Sequence, residues 1–590
     1  MNQLPINFPS VVTTNTRGAW LRRLVFAGLM LAAVVFRGTP RACAAGTPVP
    51  RLEMRGEATQ LIVDGRPWLI RGGETANTAS SSLEYMGTVW PKLARLNLNT
   101  VLVAIGWGWV EPEEGRYDFS LVDGLLEGAR ENNLRVILLW FGSWKNGLSS
   151  FAPAWVKADQ KRFPRVRIAG GKPVEILSSL GTAAREADTR AYVELLKHVR
   201  RVDEVHRTVL MIQLQNEVGV LGDSRDRGGA ANEAFAGPVP SRLMDYLVHN
   251  KERLSPDLAA LWRTAGGRTS GTWEQVFGAG PSTDELFMAW HYARFMEHMA
   301  AAGKAVYPLP VFTNSWIVQP EDRGPGDFPS GGPEPVNLDV WKTRTPSIDF
   351  SAPDIYLPNF DQWVAWFHRP DNLLFVPESR GDAQGVANAF YCIGRHASLG
   401  YSPFGVDDTG RLLGPRPDPG QAQPTELEEL PLARGYAVLA QMEPLILEAQ
   451  GRGTIGAVWL NAGRQKEDIA LGDYIIHADL RRNPRDPAQV PELGYGLFLA
   501  LAPDEFLVAG SDMQVTFSPR TPGPAIAGLA DAETGVVRDG VWIPGRKMNG
   551  DDILLNYNLA AAAGEDQSGS GLRFGPGGPT IQRVRLYRYE

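Results

Sequence analysis

Two glutamates stand where apolar strands run out. Glu217 closes the run Thr208-Val-Leu-Met-Ile-Gln-Leu-Gln-Asn216, and Glu378 closes Leu373-Leu-Phe-Val-Pro377. Runs this apolar are buried on both faces, as in a parallel sheet covered by helices. A carboxylate at the carboxyl end of such a strand lies where a barrel of alternating strands and helices does its chemistry. Two of them, from different strands, suit cleavage of a glycosidic bond. One carboxyl donates a proton to the leaving oxygen, and the other attacks or steadies the sugar cation. Either glutamate alone reads equally well as the partner of an arginine. Arg380 is such a candidate for Glu378, and its charge would also hold that carboxylate ionised.

The elements that must position this pair follow from the pattern of apolar runs. After a Pro/Gly-rich spacer, Asp64-Gly65 marks a tight hairpin turn. Strand patterns then cover 68–73, 99–106, 135–141, 209–216, 309–314, 348–355, 373–377 and 401–406. Helical patterns lie between several of them. Ser120-Leu-Val-Asp123 resembles a capping box, followed by an apolar face of Leu121, Val122, Leu125 and Leu126. Tyr192, Leu195, Leu196 and Val199 form a second face, and 435–447 a final helix. Eight alternations predict an α/β fold, a (β/α)8 barrel over 45–452 that includes the N-terminal hairpin. Glu217 then falls on the fourth strand and Glu378 on the seventh. The longest insertion, 218–307, follows the fourth strand and carries helix. An open doubly wound sheet is the alternative, but no G-x-G-x-x-G or phosphate loop supports it. Beyond Gly453 short β-rich runs at 454–460, 496–501, 505–509, 513–517, 553–557 and 582–589 alternate with Gly/Pro turns. They predict a C-terminal antiparallel β-sandwich over 453–590. The Gly/Ser-rich stretch 564–578 reads as a mobile loop.

The chain has 590 residues, too many for one core. A net charge of -7 with no long run of one sign argues against nucleic acid and against a basic membrane-binding face. Arg17, Arg22 and Arg23 precede an apolar run of 13 residues, Leu24 to Phe36, and then Ala42-Cys43-Ala44. This reads as a cleavable export signal over 1–44, with an uncleaved anchor as the alternative. The expected destination is periplasmic or extracellular, with no membrane association after cleavage. Cleavage leaves Cys392 as the only thiol, so no internal disulfide is expected. No cofactor and no metal are expected: the eight His form no H-E-x-x-H pattern, and no G-x-S-x-G appears. The 17 Trp offer either core volume or platforms for sugar rings.

Several segments resemble a known group of enzymes. Asn216-Glu217 after the fourth strand and Glu378 after the seventh is the signature of the large barrel clan of retaining glycosidases. The segment from Asn97 to Phe119, with Trp107-Gly-Trp109-Val-Glu111-Pro112, resembles the second-strand motif of β-galactosidases in glycoside hydrolase families 35 and 42. Gly72-Gly73-Glu74 and Leu138-Leu-Trp140-Phe-Gly-Ser-Trp144-Lys145-Asn146-Gly147 are similar to a bacterial branch of family 35 with an extra C-terminal β-domain.

The resemblance implies a β-galactosidase in which Glu217 is the acid/base and Glu378 the nucleophile. Asn216 would bind the sugar 2-hydroxyl. Tyr356 would hold Glu378, with barrel-top packing as its alternative. Trp107 and Trp144 would stack sugars or pack the core. Lys145, Asn146, Glu74, Asn77 and Asn314 would read hydroxyls, with helix capping the alternative for Asn77. Where many family 35 members have Ala-Glu after the third strand, this chain has Gly142-Ser143 and Trp144-Lys145-Asn146, so not every galactose contact carries over. The implied substrate is carbohydrate with a terminal β-galactosyl residue, galactosylated xyloglucan fragments among them. The alternatives are another exo-β-glycosidase, such as an arabinopyranosidase, and a non-catalytic carbohydrate-binding barrel. The C-terminal domain is open to sugar binding, packing or support of a homodimer.

Overall fold

The strand pattern of the sequence reappears as one parallel sheet. The computed structural model describes residues 49–408, 426–481, 490–554 and 570–590. The expected export signal, 1–44, lies outside them. The eight strands are β1 (Ile70–Arg71), β2 (Thr100–Gly106), β3 (Arg135–Phe141), β4 (Val209–Leu214), β5 (Val311–Trp316), β6 (Phe350–Ile355), β7 (Val376–Ser379) and β8 (Gly400–Pro403). They are ordered β1-β8-β7-β6-β5-β4-β3-β2. The ends of the sheet meet: the Leu102 N–H donates to Gly73 O at 2.9 Å and the Asn99 N–H to Arg71 O at 3.1 Å. The sheet is thus a closed barrel.

A helix follows each strand: α1 (Leu83–Arg95), α2 (Ser120–Glu131), α3 (Thr182–Asp203), α4 (Pro281–Val306), α5 (Leu338–Arg344), α6 (Phe360–Phe367), α7 (Ala383–His396) and α8 (Pro431–Arg452). Strand alternation between two buried faces explains why β2 and β3 are almost wholly apolar. On β2, Leu102 and Ala104 fill the barrel interior with Phe312, Phe350 and Phe375. Val101, Val103 and Ile105 face the helices. The hairpin before the barrel turns on Asp64 and Gly65, both with positive φ, and its Leu61 and Val63 join the interior cluster. The expected capping box at Ser120 is not formed. Ser120 is the first helical residue, its N–H is taken by Asp118 Oδ1 at 2.9 Å, and Asp123 instead meets His198 Nε2 at 2.6 Å. Among the described residues no helix is long and apolar enough to cross a membrane.

After α8 the chain becomes antiparallel β. Strands β9 (Ile455–Asn461), β10 (Lys466–Leu471), β11 (Tyr474–Leu480), β12 (Leu493–Ala502), β13 (Glu505–Ser511), β14 (Met513–Pro519), β15 (Ile526–Arg538), β16 (Val541–Lys547), β17 (Leu572–Arg573) and β18 (Thr580–Tyr589) follow. They form a six-stranded sheet, β9-β12-β13-β18-β15-β16, and a four-stranded sheet, β10-β11-β14-β17. Tyr474, Phe498, Phe506 and Phe517 fill the space between. The fold is therefore an α/β barrel followed by a β-sandwich. Strands β10, β11, β15 and β16 were not expected. Of the strand expected at 553–557, residues 555–557 lie outside the described residues; a 3-10 turn, Gly550–Asp552, precedes it. The expected loop 564–578 lies partly outside, and its Leu572–Arg573 pairs with β14.

The six-stranded sheet is not free-standing. Tyr495, Leu497 and Leu499 of β12 point away from the sandwich interior into the core shared with the barrel helices. A Cβ on Gly394 of α7 would lie 2.7 Å from Ala457 Cβ and 3.0 Å from Gly456 O of β9. Only the missing side chain allows this approach.

Candidate active site

The ends of β3 and β4 are tied together by a buried polar network. Beyond β4 the chain leaves extended geometry, with Gln215 at φ 60° and Glu217 at φ 48°. Two such residues without glycine's freedom persist only where their surroundings hold them. Gln215 Oε1 accepts from the Gly142 N–H at 3.2 Å and the Trp144 N–H at 3.0 Å, while its Nε2 donates to Asp188 Oδ2 at 2.7 Å. Asp188 also receives the Ser143 N–H at 2.9 Å, the Ser143 hydroxyl at 2.6 Å and Trp140 Nε1 at 2.8 Å. Burial pushes its carboxyl up to about 6 against these donors. Asp188 and Gln215 were not singled out in the sequence.

The loop so anchored carries Lys145. Asn146 and Gly147, at φ 50° and 68°, make a two-residue turn between Lys145 and Leu148. The Lys145 ammonium donates to Asn216 Oδ1 at 3.0 Å, and the Asn146 N–H reaches the same oxygen at 3.3 Å. Asn216 Nδ2 stays buried without a hydrogen-bond partner.

The carboxyls converge on this corner. The Glu217 N–H donates to Asn314 Oδ1 at 3.0 Å, and Asn314 Nδ2 donates to Asp354 Oδ2 at 2.6 Å. Asp354 is level with Glu378 across β6 and β7. The Tyr356 hydroxyl donates to Glu378 Oε1 at 2.7 Å. One oxygen each from Glu217, Asp354 and Glu378 lie within 4.8 Å of one another. Glu74, after β1, is fully buried and feels the charges of Glu378, Lys145 and Glu217. Glu74 Oε1, Glu217 Oε2, Asp354 Oδ1 and Glu378 Oε2 are all buried without a hydrogen-bond partner.

Crowding sets the protonation. Burial first and Glu378 second push Glu217 up to about 7, with Lys145 pulling the other way. Glu74 and Asp354 are held well above the usual carboxylate range by burial and by the neighbouring carboxylates. Burial and Glu378 likewise raise the Tyr356 phenol, so it stays a donor. Protonated and ionised carboxyls side by side form an acid and a base or nucleophile in one pocket. The Glu217, Asp354 and Glu378 oxygens also present the hard donors a divalent cation prefers, and no sequence motif pointed to that grouping.

The structure thus gathers Glu74, Lys145, Asn216, Glu217, Asn314, Tyr356 and Glu378, and adds Asp354. Other expectations are corrected. Trp107 is buried, donates from Nε1 to Glu111 Oε2 at 2.7 Å and meets Trp155 edge-on; it is a core residue. Trp144 is buried against Tyr292 and Phe295, with Nε1 on Leu177 O at 3.1 Å, so no sugar can stack on it. Asn146 reaches the same corner through its backbone N–H, 3.3 Å from Asn216 Oδ1. Asn77 caps neither nearby helix, whose caps are Thr78 and Ser82, and its Oδ1 is buried without a hydrogen-bond partner. Arg380 pairs with Asp382 rather than Glu378. Cys392 lies buried within α7, where burial pushes its thiol up to about 12.

Residues 85–302 match the family model described as Beta-galactosidase, that of glycoside hydrolase family 42. The match falls to family 42, not to family 35 as the segments around Glu74 and Trp144 suggested. It supports a glycoside hydrolase. Residues 432–560 match a domain of unknown function, DUF5597. No curated protein matches. Among solved structures, the chain is similar to a β-galactosidase from the psychrophilic Marinomonas ef1 at 13% identity and TM-score 0.41, covering 64% of this chain and 60% of that one. A β-galactosidase from Bacillus circulans sp. alkalophilus gives 15% identity and TM-score 0.42, covering 65% of this chain and 57% of that one. The catalytic domain of a Paenibacillus polymyxa β-amylase gives 12% identity and TM-score 0.40, covering 57% of this chain and 92% of that one. The chain therefore spans about three fifths of the length of the two β-galactosidases.

Proposed function

We propose that the protein is an exo-acting, retaining β-galactosidase that releases terminal β-D-galactosyl residues from oligosaccharides and polysaccharides, with galactosylated xyloglucan fragments as candidate natural substrates. The observation that carries this reading is the approach of the Glu217 and Glu378 oxygens to within 4.8 Å. Double displacement needs the two carboxyl groups about 5–5.5 Å apart, whereas single displacement needs about 6.5–9.5 Å to admit a water. The family match over 85–302 supports galactose as the sugar.

In this reading Glu378 attacks the anomeric carbon through Oε2, because Tyr356 occupies Oε1. Glu217, protonated near neutrality, gives its proton to the departing oxygen. Ester formation removes the charge of Glu378, one cause of the raised proton affinity of Glu217. Glu217 then ionises more readily and takes a proton from the water that cleaves the ester. Asn216 Nδ2 donates to the sugar 2-hydroxyl, and Glu74 and Lys145 read further hydroxyls. The chemistry resides in the 45–452 segment, and the chain acts after export, in the periplasm or outside the cell.

The test is hydrolysis of an aryl β-D-galactoside by the mature chain, with Glu217→Gln and Glu378→Gln beside it. Turnover that collapses in both variants is the expected result, with the β-anomer of galactose released first. No turnover by the folded parent would overturn the galactosidase reading, and a panel of aryl glycosides, arabinopyranoside included, then separates another sugar specificity from a barrel that only binds.

A further inference from the structure

A cavity of about 1150 Å³ lies outside the carboxyl cluster but next to it in the chain. Leu357 on its wall follows Tyr356. Glu334 in its lining accepts the Ser315 hydroxyl at 2.8 Å, and Ser315 follows Asn314 on β5. Glu334 also feels the charge of Glu217. Ligand pockets run to about 300–1,000 Å³, so this one exceeds the needs of a single sugar ring.

Its lining combines ring-binding surface with unmet polar atoms. Trp363 and Trp366 stand perpendicular with centroids 4.9 Å apart, and Trp366 is 44% exposed. Phe328 and Val318 add further apolar wall. Trp363 Nε1 and Glu334 Oε2 are buried without hydrogen-bond partners, and Glu334 as a whole is only 1% exposed. Burying such groups costs free energy unless something completes them. Arg369 brings no free charge, since it is already met by Asp339 and Asp371. A hydroxyl can donate to the Glu334 oxygen or accept from the Trp363 N–H, and an apolar ring face can lie on the exposed indole.

We infer that this cavity receives the leaving group of the substrate, a system of two or more rings with apolar faces and at least one hydroxyl. The inference rests on the glycosidase reading above and adds what lies beyond the galactosyl unit. Two sources share this chemistry: the remaining sugar rings of an oligosaccharide, and a hydroxylated polycyclic aglycone.

The experiment is equilibrium binding to the full chain carrying Glu378→Gln, followed by tryptophan fluorescence and calorimetry. The probes are a galactose-free glucose tetrasaccharide and a hydroxylated flavone. One of the two binds, and Trp366→Ala and Glu334→Gln each weaken that binding at least tenfold; the probe that binds identifies the source. In the active enzyme the same substitutions lower kcat/KM for the extended galactoside at least tenfold more than for methyl β-galactoside. Absence of binding by both probes, or binding indifferent to both substitutions, overturns the inference even where aryl galactoside is hydrolysed. Binding without any hydrolysis by the unmutated chain leaves a ring-binding cavity and removes the glycosidase reading.

Discussion

At the barrel mouth Glu74, Glu217, Asp354 and Glu378 crowd together, the Lys145 charge acts on Glu74 and Glu217, and each of the four keeps a buried oxygen without a hydrogen-bond partner. On the six-stranded sheet of the β-domain Glu505, Asp531 and Glu533 also crowd together. There each is met: Arg583 reaches Glu505 at 2.5 Å, and Lys547 reaches Asp531 at 2.5 Å and Glu533 at 3.2 Å. Trp542 Nε1 adds a bond to Glu533 at 2.6 Å. The same residue types are thus neutralised on the sheet and left wanting in the barrel. Unmet buried carboxyls are unfavourable to the fold, and that deficit is what a substrate or a transition state can relieve. Paired carboxylates have little left to offer a ligand, and exposed pairs such as Asp531 with Lys547 contribute little to stability either.

The contrast is broken most severely by Glu378→Gln or Glu217→Gln, each expected to lower kcat on an aryl β-galactoside about a thousandfold or more in steady-state kinetics. Tyr356→Phe removes the donor that fixes Glu378 Oε1, and a loss of about ten- to a hundredfold in kcat is expected, with the fold intact by circular dichroism. Lys145→Met should cost about tenfold in kcat/KM by freeing Asn216. It also has a pH signature. In the proposed mechanism Glu217 must be protonated to act as the acid, so kcat/KM is expected to fall as pH rises through about 7. The Lys145 charge lowers that value, so its removal moves the basic limb to higher pH.

Stability gives a smaller effect of opposite sign. The folded state holds the Glu217 proton up to about pH 7, while the unfolded chain releases it near the ordinary value of 4.5. Stability conferred by that proton is complete below 4.5 and is lost as pH rises to about 7. Glu217→Gln should therefore raise Tm at pH 8 by roughly a few degrees, with the gain shrinking toward pH 5 in calorimetry. On the sheet, Lys547→Ala should leave the midpoint of denaturant unfolding close to that of the parent, since its ion pairs are solvent-screened. A marked drop there would mean that the two regions differ less than their pairing implies.

The barrel was legible because strands buried on both faces must be continuously apolar, and such runs are conspicuous at 135–141 and 209–216. Glu217 and Glu378 stood out as the carboxylates that end them. Asp354 gave a weaker signal, because it lies one residue short of the end of the run 348–355, which Asp349, Ser351 and Pro353 already interrupt. Asp188 left no such mark, because it lies in the polar helical stretch Arg185-Glu-Ala-Asp188 and only the fold turns it toward Gln215. Tryptophans misled for a related reason: Trp107 and Trp144 sit at strand ends like platforms, but their backbone aims them between helices. Strand β11 alternates buried and half-buried residues along Tyr474–Leu480, and its single His and Asp broke the apolar run that would have marked it.

The close approach of Gly394 to Gly456 has a consequence for how the molecule comes apart. Helix α7 begins a few residues beyond Glu378, and β12 seals its far side with Tyr495, Leu497 and Leu499. Heat cannot melt the sandwich first and leave an intact barrel, because its departure would strip that helix to water. Barrel and sandwich lose structure in a single cooperative event, and a protease that nicks the junction near Gly453 frees no working enzyme.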